Sequence, residues 1–223
     1  MVETNEKKGF TLLELLIVIS IIAILAVIII LILNPAETLR KARDVQRMSD
    51  MATMKIAIGI IVTASSTPWL SGTSGNSLCY GGSGTDSIWY SLSSTDGVII
   101  DTTLDGGTGS IPNSVQVTST NLNLTDGNGW IPVNFGWLPG RSPISNLPVD
   151  PINTIGTLSS VDNYDLVYRY VCNSTDTTFE IDAVLESISF TSNDNKMATD
   201  GGDNSNYYEV GTALDILGTG VNF

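Results

Sequence analysis

The sequence predicts an α+β chain: a long, kinked N-terminal α-helix, membrane-spanning in its first half, packed on a C-terminal antiparallel β-sheet head. Three observations predict it. Leu15 to Leu33 are nineteen consecutive positions whose one polar member is Ser20. Beyond them Leu39, Ala42, Val45, Ser49, Ala52, Ile56 and Ile60 recur at three- and four-residue steps, the spacing of a helix with one covered face. Far downstream, 165–172 and 179–185 carry strand patterns separated by a short polar turn.

The first element is the apolar run. About 20 apolar residues at about 1.5 Å each match a hydrocarbon layer of roughly 30 Å, so residues 15–33 read as a span. Secretory signal peptides have a shorter apolar region and a small-residue cleavage site, and none follows Leu33. Lys7 and Lys8 would hold the N-terminus in the cytoplasm, as in an uncleaved signal anchor. That reading leaves Glu14 unexplained. An ionisable group at the edge of lipid is costly, and a buried positive partner would account for it.

Asn34-Pro35 interrupts the helix, because proline lacks an N–H and its ring disturbs the preceding turn. Helical spacing resumes at once, which predicts a kink within one helix running from about Phe10 to Ala64. The stop is Ser65-Ser66-Thr67-Pro68. From Ser71 to Gly109 the chain is rich in Gly, Ser and Thr and reads as connecting loop. Its Gly81-Gly82-Ser83-Gly84 and Asp105-Gly106-Gly107 make no phosphate cradle, since no Gly-Lys-Ser/Thr follows.

Short strands are expected over 97–104, 115–118 and 131–135, and five prolines between Pro132 and Pro151 impose an irregular crossing after them. Asp165 to Cys172 reads as a strand. Phe179, Ile181, Ala183 and Leu185 then alternate with Glu180, Asp182, Val184 and Glu186, giving one apolar face and one largely acidic face. Asn173 to Thr178 joins the two strands as a hairpin, and its apolar face is the expected seat of the Val45 to Ile60 stripe.

Charge is unevenly distributed along the 223 residues. Arg40, Lys41, Arg43, Arg47 and Lys55 cluster just past the span, whereas beyond residue 56 seventeen acidic residues face only Arg141, Arg169 and Lys196. A net charge of −14 there argues against a nucleic-acid partner and fits an extracytoplasmic head. Without histidine, a His-dependent triad is excluded and a zinc site has few donors. An acid/base reading would rest on Asp182 and Glu186 on the solvent face of a strand, where carboxylates mostly solvate; no catalytic residue is assigned. Cys79 and Cys172 pair if the domain is exported; the alternative is two separate buried thiols. Trp69, Trp89, Trp130 and Trp137 are candidates for a binding groove, for core, or for a subunit interface.

Lys7-Lys8-Gly9-Phe10-Thr11-Leu12-Leu13-Glu14-Leu15 resembles the class III signal of type IV pilins and pseudopilins. The resemblance implies a leader, residues 1–9, that a prepilin peptidase removes behind Gly9 before methylating the new amine of Phe10. It implies a helix over 10–64, a head over 65–223, and no enzymatic activity. Glu14 would pair with the Phe10 ammonium of a neighbouring subunit, because two charges too costly to bury alone can be buried together. The implied partners are further copies in a helical filament, an assembly ATPase and a platform membrane protein. The subunit would wait in the cytoplasmic membrane and end in a filament at the cell surface. A secretion pseudopilin and a non-polymerising anchored binding domain are the alternatives.

The order Asp150-Pro151, Tyr168-Arg169-Tyr170, Phe179-Glu180-Ile181 and Asp200-Gly201-Gly202-Asp203 is similar to that of major pseudopilins of type II secretion. This implies one candidate ion, calcium, held by Asp194, Asp200 and Asp203 with Asn193, Asn195 and Asn204 nearby. The spacing is not that of an EF-hand, and the same dipeptides serve as ordinary turns.

Overall fold

The computed structural model describes residues 9–82, 86–100 and 113–220. Lys7, Lys8, the part of the expected 97–104 strand beyond residue 100, and Asp105-Gly106-Gly107 lie outside them. Two compact units emerge, Met1–Arg40 and Lys41–Phe223.

In the first unit, α1 (Leu12–Leu33) is apolar on every side and none of its described side chains is buried. Such a helix has no face for water. Its 22 residues extend about 33 Å at 1.5 Å per residue, enough to cross a hydrocarbon layer. It is the one described helix long and apolar enough to do so. Ser20 donates its hydroxyl to the Leu16 carbonyl at 2.8 Å, which removes its polarity from the surface.

A single residue, Asn34, separates α1 from α2 (Pro35–Ala64). Its backbone is left-handed, φ 38° and ψ 72°, a conformation asparagine tolerates better than other non-glycine residues. It ends one helix and starts the next: its carbonyl accepts from the Glu37 and Thr38 amides, and its side chain accepts from Glu37. Pro35 then occupies the first helical position, where its missing N–H costs nothing. The kink is therefore a one-residue break at Asn34, and the helix reaches Ala64, where the sequence placed its stop.

In the second unit a five-stranded sheet is ordered β2-β1-β3-β4-β5, with β1 Ser87–Tyr90, β2 Asn113–Val115, β3 Arg169–Cys172, β4 Phe179–Ala183 and β5 Tyr208–Gly211. β3 and β4 form the expected hairpin, with Tyr170 opposite Ile181 and Cys172 opposite Phe179. All pairings are antiparallel except β1 with β2. Lys41–Ala64 of α2 covers one face, where Met51, Met54, Ala57, Ile58 and Ile61 pack with Trp89, Tyr170, Phe179 and Ile181. A second core of Ile88, Tyr90, Val161, Val171, Tyr207 and Leu217 lies on the other face, beneath the loops.

Several expectations are corrected. The stripe of α2 on the sheet is Asp44, Arg47, Met51, Met54, Ala57, Ile58 and Ile61, while Leu39, Val45, Ile56 and Ile60 are exposed. The acidic face of β4 is not solvated: Glu180 and Asp182 are buried under the loop layer. β1 lies inside the stretch expected to be loop, and β5 follows the expected calcium loop. Residues 131–135 form no strand, because Pro132 has no amide to donate; Asn134 makes one isolated bridge to Asp126 before the short 3-10 turn Phe135–Trp137. Residues 97–100 form no strand either, nor do 116–118; β2, at Asn113–Val115, shares only Val115 with the strand expected at 115–118.

Candidate functional site

Glu14 opens α1 as half of a capping box. Thr11, in extended conformation (φ −81°, ψ 149°), accepts from the Glu14 amide at 3.2 Å. The Glu14 carboxylate accepts in return from the Thr11 amide and hydroxyl, both at 2.9 Å. Phe10 and Gly9 precede the cap and are exposed, so the peptide bond between them stands clear of the helix. A carboxylate at a helix N-terminus also complements the positive end of the helix dipole. Chemically the arrangement holds one anion, oriented by its own chain, at the head of an otherwise uncharged helix and four residues from Phe10.

A second charged centre seats α2 on the sheet unit. Arg47 is fully buried and forks onto Asp150, Nε to Oδ2 at 2.6 Å and Nη2 to Oδ1 at 3.0 Å. Its Nη1 donates to Asp44 at 2.8 Å and to Glu186 at 2.7 Å. Arg43 holds the same Glu186 with two further bonds at 2.8 and 2.9 Å. Asp44 accepts from the Glu186 and Ser187 amides, and Asp150 from those of Ile152 and Asn153. Burial opposes the Arg47 charge, but the bonds and charge of Asp150, with Glu186 and Asp44, outweigh it and hold the guanidinium firmly ionised. Burial likewise pushes the Glu186 carboxyl up, yet Arg43 and Arg47 together hold it below its usual range.

Beneath the loops lies a second buried charged group, of Glu180, Asp182, Glu209 and Arg169. Arg169 donates to Asp182 at 2.8 Å and stacks on Tyr207 at 3.8 Å. Glu180 accepts from the Ile216 and Leu217 amides, tying the C-terminal segment to β4. Glu209 accepts from the Asn204 amide at 3.1 Å. Burial raises both glutamates, that of Glu209 to about 7, because these neighbouring carboxyls cannot all ionise in a dry interior.

Of the residues the sequence singled out, the structure joins Cys79 to Cys172 as a disulfide, with Cα atoms 4.8 Å apart. It does not gather Asp194, Asp200 and Asp203. Asp194 pairs with Lys196, and Asp200 accepts from the Gly202 and Glu209 amides. No group of three or more acidic, His or Cys side chains among the described residues is placed to hold a metal ion. Asp182 and Glu186 are no exposed acid/base pair, since each is committed to arginine. Sequence reasoning missed the Arg47 centre. Its signal was present as the Asp44–Arg47 step of three on a helix, in line with Met51 and Met54.

No curated protein and no solved structure matches this chain. Residues 4–30 match the family model of the prokaryotic N-terminal methylation motif. That segment contains Gly9, Phe10, Thr11 and Glu14 together with most of α1. The motif implies processing by a prepilin peptidase, filament assembly and a structural, non-enzymatic protein, and with the apolar helix it fits membrane anchoring. Residues 4–30 thus carry a class III signal of the kind found in type IV pilin-like and pseudopilin-type proteins.

Proposed function

We propose that the chain is the structural subunit of a type IV pilus-like filament, cut behind Gly9, methylated on the Phe10 amine and assembled through α1. The observation that carries this reading is the lone carboxylate of Glu14 at the head of a helix that is apolar on all sides. A lipid anchor needs no such charge, and one left unpaired in hydrocarbon is costly. Pairing it with a neighbour's Phe10 ammonium lets both charges enter a helix bundle and fixes the axial stagger, because one register brings them together. The outward Val45, Ile56 and Ile60 of α2 support the same reading, since they leave exposed apolar side chains that neighbouring subunits could cover. A pilus is favoured over a secretion pseudopilus by the Gly/Ser/Thr-rich insertion, which makes the head larger than a minimal pseudopilin needs.

The test is mass spectrometry of the chain from its native host, together with Glu14→Ala. The reading expects an N-methylated chain beginning at Phe10, and a Glu14→Ala variant that is cleaved, membrane-inserted and folded but forms no filaments. A chain beginning at Met1, or filaments from the variant at the wild-type level, would overturn it.

A further inference from the structure

The four tryptophans divide into two pairs. Trp89 and Trp130 are core, 3% and 0% exposed, whereas Trp69 and Trp137 are 55% and 61% exposed and line one groove. The groove has a volume of about 310 Å³ and lies at the C-terminal end of α2, with Ile61 at its base and Ser65, Thr67 and Asn134 among its walls. We infer that this groove is a binding site for a neutral glycan, with a hexopyranose ring seated against the two indoles.

Both indoles stand on rigid supports. Trp69 follows Pro68 in a segment clamped by the buried Asn76, whose Nδ2 donates to the Pro68 carbonyl at 2.9 Å and whose Oδ1 accepts from the Leu70 amide at 2.6 Å. Asn76 adopts a left-handed backbone (φ 50°) to reach both. Trp137 closes the 3-10 turn Phe135–Trp137, which is anchored by the buried Phe135 and capped by Asn134 Oδ1 accepting from the Gly136 amide at 2.9 Å. Large apolar rings held in place in water are preorganised for a ligand, because little side-chain entropy remains to be lost on binding.

The lining selects the ligand class. Among the described residues none that lines the groove is ionisable, although the head carries seventeen acids against three bases. An anionic ligand would be repelled by the head and find no cation in the groove, and a cationic one would find no carboxylate there. What the groove offers is two π-faces, with the Ser65 and Thr67 hydroxyls and the Asn134 amide beside them. A pyranose presents the complement, a face of polarised C–H groups for an aromatic ring and a rim of hydroxyls that both donate and accept. The volume lies at the lower end of small-ligand sites, which suits one or two sugar rings.

The full chain in a zwitterionic, sugar-free detergent is titrated with maltose, lactose, cellobiose and N,N′-diacetylchitobiose, read by tryptophan fluorescence and calorimetry. The expected result is saturable binding of at least one disaccharide, weakened about tenfold or more by Trp69→Ala and by Trp137→Ala. Trp69→Phe, which keeps a flat ring, should retain part of it, and sialyllactose should bind no better than lactose. The inference is overturned if no disaccharide binds, if both alanine variants bind as the wild type does, or if decaproline saturates the groove while sugars do not. Filament formation by the alanine variants should equal wild type; its loss would make the groove a subunit contact and overturn the sugar assignment. Because the titration uses unassembled chain, its outcome is independent of whether the chain polymerises.

Discussion

Replacing Arg47 by methionine tests whether the charged centre, rather than apolar contact, sets where α2 sits on the sheet. Methionine keeps the apolar stem of the side chain and ends about where Nε sits, so the main perturbation is the lost guanidinium. Four bonds at 2.6 to 3.0 Å disappear, and the fully buried Asp44 and Asp150 lose their shared cation. Breaking a buried ion pair by removing one partner costs about 3–5 kcal/mol. Both aspartates keep backbone amides as donors, and Glu186 keeps Arg43, which places the loss at the low end, about 3 kcal/mol. For a domain of this size that is a fall in Tm of roughly 6–12 °C. The assay is near-UV circular dichroism of the full chain in micelles at pH 7. A Tm shift under about 2 °C refutes the reasoning.

Reduction, or the paired Cys79→Ser and Cys172→Ser exchange, opens a cross-link spanning 93 positions and should cost about 4–5 kcal/mol in the chain-entropy model, read as a lower melting temperature; equal melting with and without reductant would deny the bond a stabilising role. Glu209 has its folded pKa raised from 4.5 to about 7, so its contribution to stability is present below 4.5 and is lost as pH rises through about 7. Stability should therefore decline between pH 5 and 8 by on the order of 2 kcal/mol, and Glu209→Gln should flatten that limb; an unchanged slope in the variant counts against the assignment. Glu186 acts with the opposite sign. Its folded pKa is depressed, so its contribution is present above the ordinary glutamate range and is lost on acidification through the folded value, a limb that Glu186→Gln should remove from the acid melting curve.

How much could be read in advance differs by element, for physical reasons. α1 was legible because its apolar run is long and unbroken, and the β3–β4 hairpin because its apolar residues alternate about a polar turn. β1 was not. Ser87-Ile88-Trp89-Tyr90 is buried on both faces and only four residues long, so no alternation marks it. Glu180 and Asp182 looked like a solvent face because acidic residues usually are one; their burial depends on a loop layer built from Val161, Tyr207 and Leu217, whose approach no local pattern encodes. At the N-terminus, the methylation motif over residues 4–30 was legible from the sequence, whereas the reciprocal bonds of Thr11 with Glu14 emerged only with the helix start at Leu12. The tryptophans could be counted in the sequence but not sorted, since exposure depends on the supports given by Asn76 and Phe135.

The misplaced face of α2 leads furthest toward function. Hydrophobic periodicity assigns the apolar stripe to the interior, which holds when water is what the other face meets. Here part of the inward stripe is ionic, Asp44 and Arg47, while Val45, Ile56 and Ile60 point away from the sheet. A buried ion pair is a poor source of stability compared with well-packed aliphatic residues, so its presence calls for another explanation. Geometry supplies one. Arg47 reaches Asp150 and Glu186 together in one axial position of α2, whereas aliphatic contacts would tolerate sliding by a turn. Fixing the helix by charge on its inner side leaves apolar residues free on its outer side. Under the proposed function, that allocation lets a subunit's helix be held by its own head while apolar side chains remain available to its neighbours.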